Sequence, residues 1–252
     1  MGVRITGREE LSIPNSEGKL YMTEITGIRA ISFDGDGTLW DFEKVMRNSL
    51  HQVLKELERI DPEAAHSLDI DKMIEVRQRV AEEFKGRTVN LEDIRFQAFR
   101  ETLKDIGRPD DTLVSHLNEV YLQHRFEDIE LFEDVLPTLN ALRSRYSLGL
   151  LSNGNSYPER CGLNDIFQFV VFSQDYGVAK PDSRLFQIAL EKAHCSKQEF
   201  LHVGDSLEND VIGAINTGIR CVWLNRKQSE PNPEVAVEYT IASLLELPKI
   251  LG

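Results

Sequence analysis

Phe33-Asp34-Gly35-Asp36-Gly37-Thr38-Leu39 is the stretch on which the reading of this chain turns. It closes a short apolar run, Arg29-Ala-Ile-Ser-Phe33, that has the texture of a buried strand. Two carboxylates two residues apart at the end of such a strand are unfavourable unless paired, protonated or bound to a cation. A calcium loop of the EF-hand type needs Gly at Leu39 and Glu at Val45, and has neither. A dinucleotide-binding turn needs a third Gly at Trp40. An aspartate nucleophile with an acid/base partner remains: Asp34 to attack phosphorus, Asp36 to protonate the leaving oxygen and then activate water. Taken alone, an Asp-x-Asp-Gly sequence is also an ordinary turn or cap.

Four more apolar runs share that texture: Ser147-Leu-Gly-Leu-Leu151, Phe169-Val-Val-Phe172, Phe200-Leu-His-Val203 and Arg220-Cys-Val-Trp-Leu224. Helical spacing lies between them. Val135, Leu139, Leu142 and Tyr146 share a face, and Leu185, Ile188 and Ala189 share another in a helix opened by Pro181-Asp182-Ser183. Strands alternating with helices predict a Rossmann-like α/β fold with a parallel sheet and right-handed crossovers. Residues 41–131 break the alternation. Leu50, Val53, Leu54 and Leu57 begin a series of helical patterns that continues near 72–85, 91–105 and 111–124, with no strand among them. The predicted organisation is an N-terminal extension (1–22), a discontinuous core (23–40 and 132–252) and an inserted helical domain (41–131).

Three further motifs end predicted strands. Ser152-Asn153-Gly154 offers a hydroxyl and backbone N–H groups to phosphoryl oxygens, or forms a simple turn. Lys180-Pro181 places an ammonium beside a helix start, suited to a dianion, or is a solvated surface lysine. In Gly204-Asp205-Ser206-Leu207-Glu208-Asn209-Asp210, the glycine lets the chain turn and Ser206 caps a helix. There Asp205 and Asp210 are either helix-start acids or, with Asp34, hard oxygen ligands for Mg²⁺. Ligands of open α/β sheets bind at the carboxyl edge where all four motifs fall. Together they describe metal-assisted phosphoryl transfer.

In this order the residues resemble the haloacid dehalogenase (HAD) superfamily. Its Asp-x-Asp-x-Thr matches Asp34, Asp36 and Thr38; its strand-ending Ser or Thr matches Ser152; its lysine matches Lys180; its Gly-Asp with a later acid matches Asp205 and Asp210. The resemblance spans Ile28 to Leu224 and implies a helical cap in the long first gap. It implies Asp34 as nucleophile through an aspartyl-phosphate and Asp36 as general acid/base. Mg²⁺ would be held by Asp34, the Asp36 carbonyl and Asp205, with Asp210 at or near the metal. Ser152 and Lys180 would hold the phosphoryl group, and Thr38 would support the first loop. Gly35, Thr38, Asn153 and Asn155 are the candidate substrate-facing residues of the core loops. Gly35 departs from the family, where a larger apolar residue is usual.

True dehalogenases of this superfamily lack the second aspartate, so Asp36 points to phosphate esters. Phosphonate cleavage needs a cap lysine, for which Lys44, Lys55, Lys72, Lys85 and Lys104 are the candidates and none has an obvious apolar setting. The expectation is a Mg²⁺-dependent phosphatase of a small phosphorylated metabolite, of the sugar phosphate or nucleoside monophosphate class. A phosphomutase on the same core and an inactive HAD-fold binding protein are the rivals. Arg87, Arg95, Phe96 and Arg100 are cap candidates for meeting an anionic or planar leaving group, or else form a solvated, internally packed face. His51, His66, His116 and His124 show no metal spacing, and His194 and His202 suit surface and core positions.

Composition sets outer bounds. With 252 residues, 41% hydrophobic and 28% charged, the chain is long enough for one large or two small domains. Its 42 acidic against 29 basic residues give a net charge of −13, which disfavours nucleic acid and acidic membranes as partners. Cys161, Cys195 and Cys221 read as buried free thiols of a reducing compartment. No apolar run approaches a membrane span of about 18 residues, and residues 1–20 carry no signal-peptide core. The expectation is a cytoplasmic monomer or homodimer.

Overall fold

The computed structural model describes residues 24–84, 90–230 and 232–252. The expected N-terminal extension, Lys85 and Arg87 lie outside them. Six strands form one parallel sheet in the order β3-β2-β1-β4-β5-β6: β1 Ala30–Phe33, β2 Ser147–Ser152, β3 Phe169–Phe172, β4 Phe200–Gly204, β5 Arg220–Leu224 and β6 Tyr239–Ile241. β1 lies between β2 and β4, with Phe33 level with Leu150 and Val203. That register brings the ends of three strands to one edge. The sixth strand was not anticipated, because Tyr239-Thr240-Ile241 is too short to show a period.

Both faces of the sheet are covered, as parallel sheets require. Ile31 and Phe33 point into one apolar layer with Val135, Leu139 and Leu142, and Ala30 points into the other with Leu185, Phe186 and Ala189. Side chains of this kind contribute roughly 1.5–3 kcal/mol each on full burial. The Val135–Leu142 helix ends before Tyr146, which is nevertheless buried and donates its hydroxyl to the Gly252 carbonyl (3.1 Å). The Ser183–Ala193 helix takes Asp182 as its cap, so Pro181 stands before the helix rather than opening it, after a cis Lys180–Pro181 bond.

Between β1 and the Val135 helix come α1 Phe42–Ile60, α2 Pro62–Ala65, α3 Ile70–Phe84, α4 Leu91–Asp105 and α5 Asp111–Glu127. Each long helix buries one stripe, and the stripes of α1, α4 and α5 share an apolar cluster around Val53, Leu57, Phe99, Leu103 and Leu117. Asp41 and Asp110 cap α1 and α5 by accepting backbone N–H bonds. The chain leaves and re-enters the α/β layer at adjacent points. Trp40 pairs with Leu131, and the Phe132 N–H donates to the Leu39 carbonyl (3.0 Å).

All three cysteines are free. Cys161 and Cys221 are buried as expected, but Cys195, just past the helix that ends at Ala193, is only half-buried. Among the described residues, no helix is long and apolar enough to cross a membrane.

Candidate active site

Asp34 follows β1, Ser152 ends β2, Asp205 follows β4, and Asp210 lies in the wide helical turn Leu207–Ile212 that comes next. With Asp36, Asn153 and Lys180 they line one cleft of about 280 Å³ at the carboxyl edge of the sheet. Ser152 is buried, and its Oγ accepts the Gly154 N–H (3.0 Å), which shapes the turn after β2.

Lys180 is the hub. It is 4% exposed, and its ammonium donates to Asp34 Oδ1 (2.6 Å), Asp210 Oδ1 (2.6 Å) and the Leu151 carbonyl (2.9 Å). The reading of Lys180 as a solvated surface lysine is thereby removed. Burial works against the ammonium, but Asp210 and Asp34 hold its pKa above the ordinary lysine range. Burial likewise works against Asp210 as an anion, yet Lys180 and His202 hold its carboxyl below the usual range. Asp34 goes the other way. Burial pushes its pKa up, Lys180 opposes this, and the nearby charges of Asp210, Asp36 and Asp205 add to the rise.

His202 was expected to be a core residue, and it is fully buried, but it also serves the cleft. Its Nε2 donates to Asp210 Oδ1 (3.0 Å) because an ionised carboxylate offers no proton, which leaves Nδ1 to accept from the Ser32 hydroxyl (2.8 Å). Burial keeps the ring neutral by lowering its pKa. The Ser206 N–H holds the other oxygen, Asp210 Oδ2 (2.9 Å).

Asp36 also lines the cleft, and its pKa is raised by burial, against the opposing charge of Arg125. The Trp40 indole N–H donates to Asp36 Oδ1 (2.6 Å). That leaves Oδ2 as the oxygen to carry a proton. Trp40 also accounts for Gly35: a Cβ there would stand 2.6 Å from the indole ring. At Gly37, φ is +84° and a Cβ would collide with the Asp205 carboxylate, so a side chain is doubly excluded. Replacing Trp40 with Phe keeps most of the packing and removes the bond to Asp36. A hydrogen bond to a charged group is worth about 1.5–3 kcal/mol, so kcat is expected to fall roughly 10- to 100-fold with little change in KM. Steady-state kinetics of Trp40→Phe would check this.

The remaining expectations divide. Asn155 is buried and faces a second cavity beside Asp36. Asn153 also borders both cavities, but its side-chain amide is engaged, accepting from the Lys180 N–H (2.8 Å) and donating to the Lys180 carbonyl (3.0 Å). Thr38 is fully buried beneath the loop, where its carbonyl accepts from Arg226 (2.8 Å), and its side chain lines neither cavity. Arg95 lines the second cavity. Arg100 instead pairs with Asp111 (2.9 Å) on the exposed face, over the Phe96 ring. Lys44, Lys55, Lys72 and Lys104 are all exposed.

Residues 28–218 match the family described as haloacid dehalogenase-like hydrolase. The chain belongs to that family. It is an enzyme of the hydrolase class. It is 36% identical over 141 residues to the pyrimidine 5′-nucleotidase YjjG of Escherichia coli (strain K12), a match covering 54% of this chain and 63% of that protein. It is 29% identical to 5-amino-6-(5-phospho-D-ribitylamino)uracil phosphatase YigB of the same organism, over 81% of this chain and 86% of that one. Among solved structures, a 2-haloacid dehalogenase from Pseudomonas syringae pv. Tomato DC3000 superposes with a TM-score of 0.76 at 29% identity, covering 88% and 97% of the two chains.

In this HAD hydrolase the donor set fits a divalent cation. Carboxylate oxygens of Asp34, Asp205 and Asp210 lie within 4.8 Å of one another. Four carboxylates, counting Asp36, face the single ammonium of Lys180. Asp205, though exposed at the cleft, is pushed up to about 6 by desolvation first and by the charge of Asp210 second. Sequence reasoning missed Trp40, Arg77, Tyr121, Arg125 and His202. Only Trp40 stood next to a motif, and the others reach the cleft from helix faces or from within a strand.

Proposed function

We propose that this HAD hydrolase is a Mg²⁺-dependent phosphatase of a small phosphorylated metabolite, with residues 41–131 forming a cap over a core of 23–40 and 132–252. The enzyme hydrolyses phosphate esters. The observation that carries the reading is the meeting of Asp34, Asp36, Ser152, Lys180 and Asp205 in one cleft. YjjG and YigB, named as a nucleotidase and a phosphatase, support it. Asp36 separates this site from that of a haloacid dehalogenase, despite the structural likeness to one.

Asp34 attacks phosphorus through a carboxylate oxygen, and the bond from phosphorus to the ester oxygen breaks. Asp36, protonated on Oδ2, gives its proton to that leaving oxygen. Now ionised, Asp36 takes a proton from water, whose oxygen bonds to the phosphorus held on Asp34; the bond from the Asp34 carboxyl oxygen to phosphorus breaks, the carboxylate is regenerated and inorganic phosphate leaves. Ser152 and Lys180 hold the phosphoryl oxygens, and the helical cap limits bulk water. Asp34, the Asp36 carbonyl and Asp205 would hold the cation, with Asp210, fixed by Lys180, His202 and Ser206, at or near it. When bound, the cation supplies positive charge for the phosphoryl oxygens. Three free thiols and the acidic charge fit a cytoplasmic enzyme, monomeric or homodimeric, that binds no nucleic acid.

Phosphate release from a panel of phosphorylated metabolites, with Mg²⁺ and with EDTA, tests the reading. Release that requires Mg²⁺ supports it. Isomerisation of a sugar phosphate primed by a bisphosphate, without net release, would replace it with a mutase. Mg²⁺ at 100 times its Kd is also expected to stabilise the protein by about 2.7 kcal/mol. Thermal melts of wild type and Asp205→Asn check this, and an equal shift in both would remove Asp205 from the ligand set.

A further inference from the structure

The second cavity, about 160 Å³, opens beside Asp36 and receives one arginine from each of three cap helices: Arg77 from α3, Arg95 from α4 and Arg125 from α5. Elsewhere in the cap, arginines are neutralised, as in Arg47 with Asp71, Arg59 with Glu56, Arg79 with Asp105, Arg100 with Asp111 and Arg108 with Asp61. The three at the cavity form no ion pair with any described residue. Two are deeply placed, Arg95 at 8% and Arg125 at 2% exposure.

Arg125 is held by the Ser156 hydroxyl on Nη2 (2.7 Å) and by the face of the Phe42 ring, 4.4 Å away, while its Nη1 is buried without any hydrogen-bond partner. Arg95 spends Nε on Asn118 (3.1 Å) and lies over Tyr121. Burial, with Arg125 and Arg77 adding repulsion, lowers its pKa. Three like charges drawn together, two of them largely out of water, are strongly unfavourable unless an anion joins them. Asp36, the carboxyl beside the cavity, has its pKa raised by burial and one of its oxygens already bound by Trp40, so it does not neutralise the cluster. Guanidinium forks match the two oxygens of a carboxylate or phosphate.

The transferred phosphoryl group is served by Lys180 and Ser152 in the adjoining cleft. Asp36, the proton donor to the leaving oxygen, marks the border between the two spaces. What lies beyond it is the leaving group. We propose that Arg77, Arg95 and Arg125 bind a second anionic group, a carboxylate or a phosphate, carried by the leaving group. The substrates are then phosphorylated acids or bisphosphates rather than neutral phosphorylated alcohols. This inference rests on the phosphatase reading of the cleft.

Matched esters test it: 3-phosphoglycerate against glycerol 3-phosphate for a carboxylate, and fructose 1,6-bisphosphate against fructose 6-phosphate for a phosphate, with uridine monophosphate as a ligand bearing a neutral planar base. The acidic member of at least one pair is expected to show about tenfold or higher kcat/KM, and the pair that responds identifies the anion. Arg77→Gln and Arg95→Gln should each erase most of that preference through KM, and Arg77→Lys should restore part of it. Equal rates within both pairs, or uridine monophosphate outperforming every acidic ester, would overturn the proposal. If no ester is cleaved, the phosphatase reading fails by itself. Calorimetric titration of Asp34→Asn with 3-phosphoglycerate and glycerol 3-phosphate then decides the anion site, tighter binding of the acid supporting it and equal or absent binding refuting it.

Discussion

Asp34→Asn is expected to lose at least about 10³-fold in kcat and to gain, not lose, stability when metal is removed. An amide oxygen cannot form the phosphorylated intermediate, so turnover stops at the first step. The stability effect follows from the raised pKa of Asp34. A carboxyl whose folded pKa exceeds its unfolded value of about 3.9 makes the fold less stable as pH rises from that value through the folded pKa. The amide has no such loss. Urea unfolding in EDTA at pH 4 and pH 7 reads this directly: the variant's advantage should appear at pH 7 and shrink at pH 4. Near-wild-type kcat in clean preparations would instead remove Asp34 from the reaction.

Lys180→Met is the counterpart with the largest expected effect on folding. Its ammonium is 2.6 Å from both Asp34 and Asp210. Removing one partner from a buried ion pair generally costs about 3–5 kcal/mol. Here two carboxylates lose their cation at once. In the wild type, the lowered pKa of Asp210 contributes stability that is present above about pH 3.9 and lost as pH falls through its folded value. Without Lys180 that sign reverses for Asp210, and the pKa of Asp34, already raised, rises further, so the variant should be most stable in mild acid and weaken toward neutrality. Denaturant midpoints from pH 4 to 8 would show it. A variant with the wild-type pH profile would mean that the ammonium does not hold the cluster.

The sequence was legible where chemistry and strand ends coincide. Five of the six strands are continuous apolar runs, and Asp34, Ser152 and Asp205 close or follow three of them, so periodicity placed them on one edge. Lys180 was harder. A lysine before a proline says nothing about burial until β1 and the Leu207–Ile212 turn bring two carboxylates to it. Arg125 was illegible for a related reason. In α5 it looks like a basic residue in the last turn of a surface helix, a common dipole partner. Only the contact with Ser156, in the loop after β2, turns it inward. Arg100 shows the reverse, with similar neighbours in sequence and an exposed ion pair in space. His202 alternates correctly as a strand residue, and strand patterning carries no information about an acid eight positions on.

Gly35 and Trp40 constrain each other by direct contact. A larger residue at 35 meets the indole, and a smaller residue at 40 releases Asp36. The two positions are therefore epistatic. An evolutionary or laboratory route toward the bulky residue usual in the superfamily must pass through position 40 first and accept a slower enzyme there. A mutational scan that varies one residue at a time would score Gly35 as invariant, although a double substitution reaches the alternative arrangement.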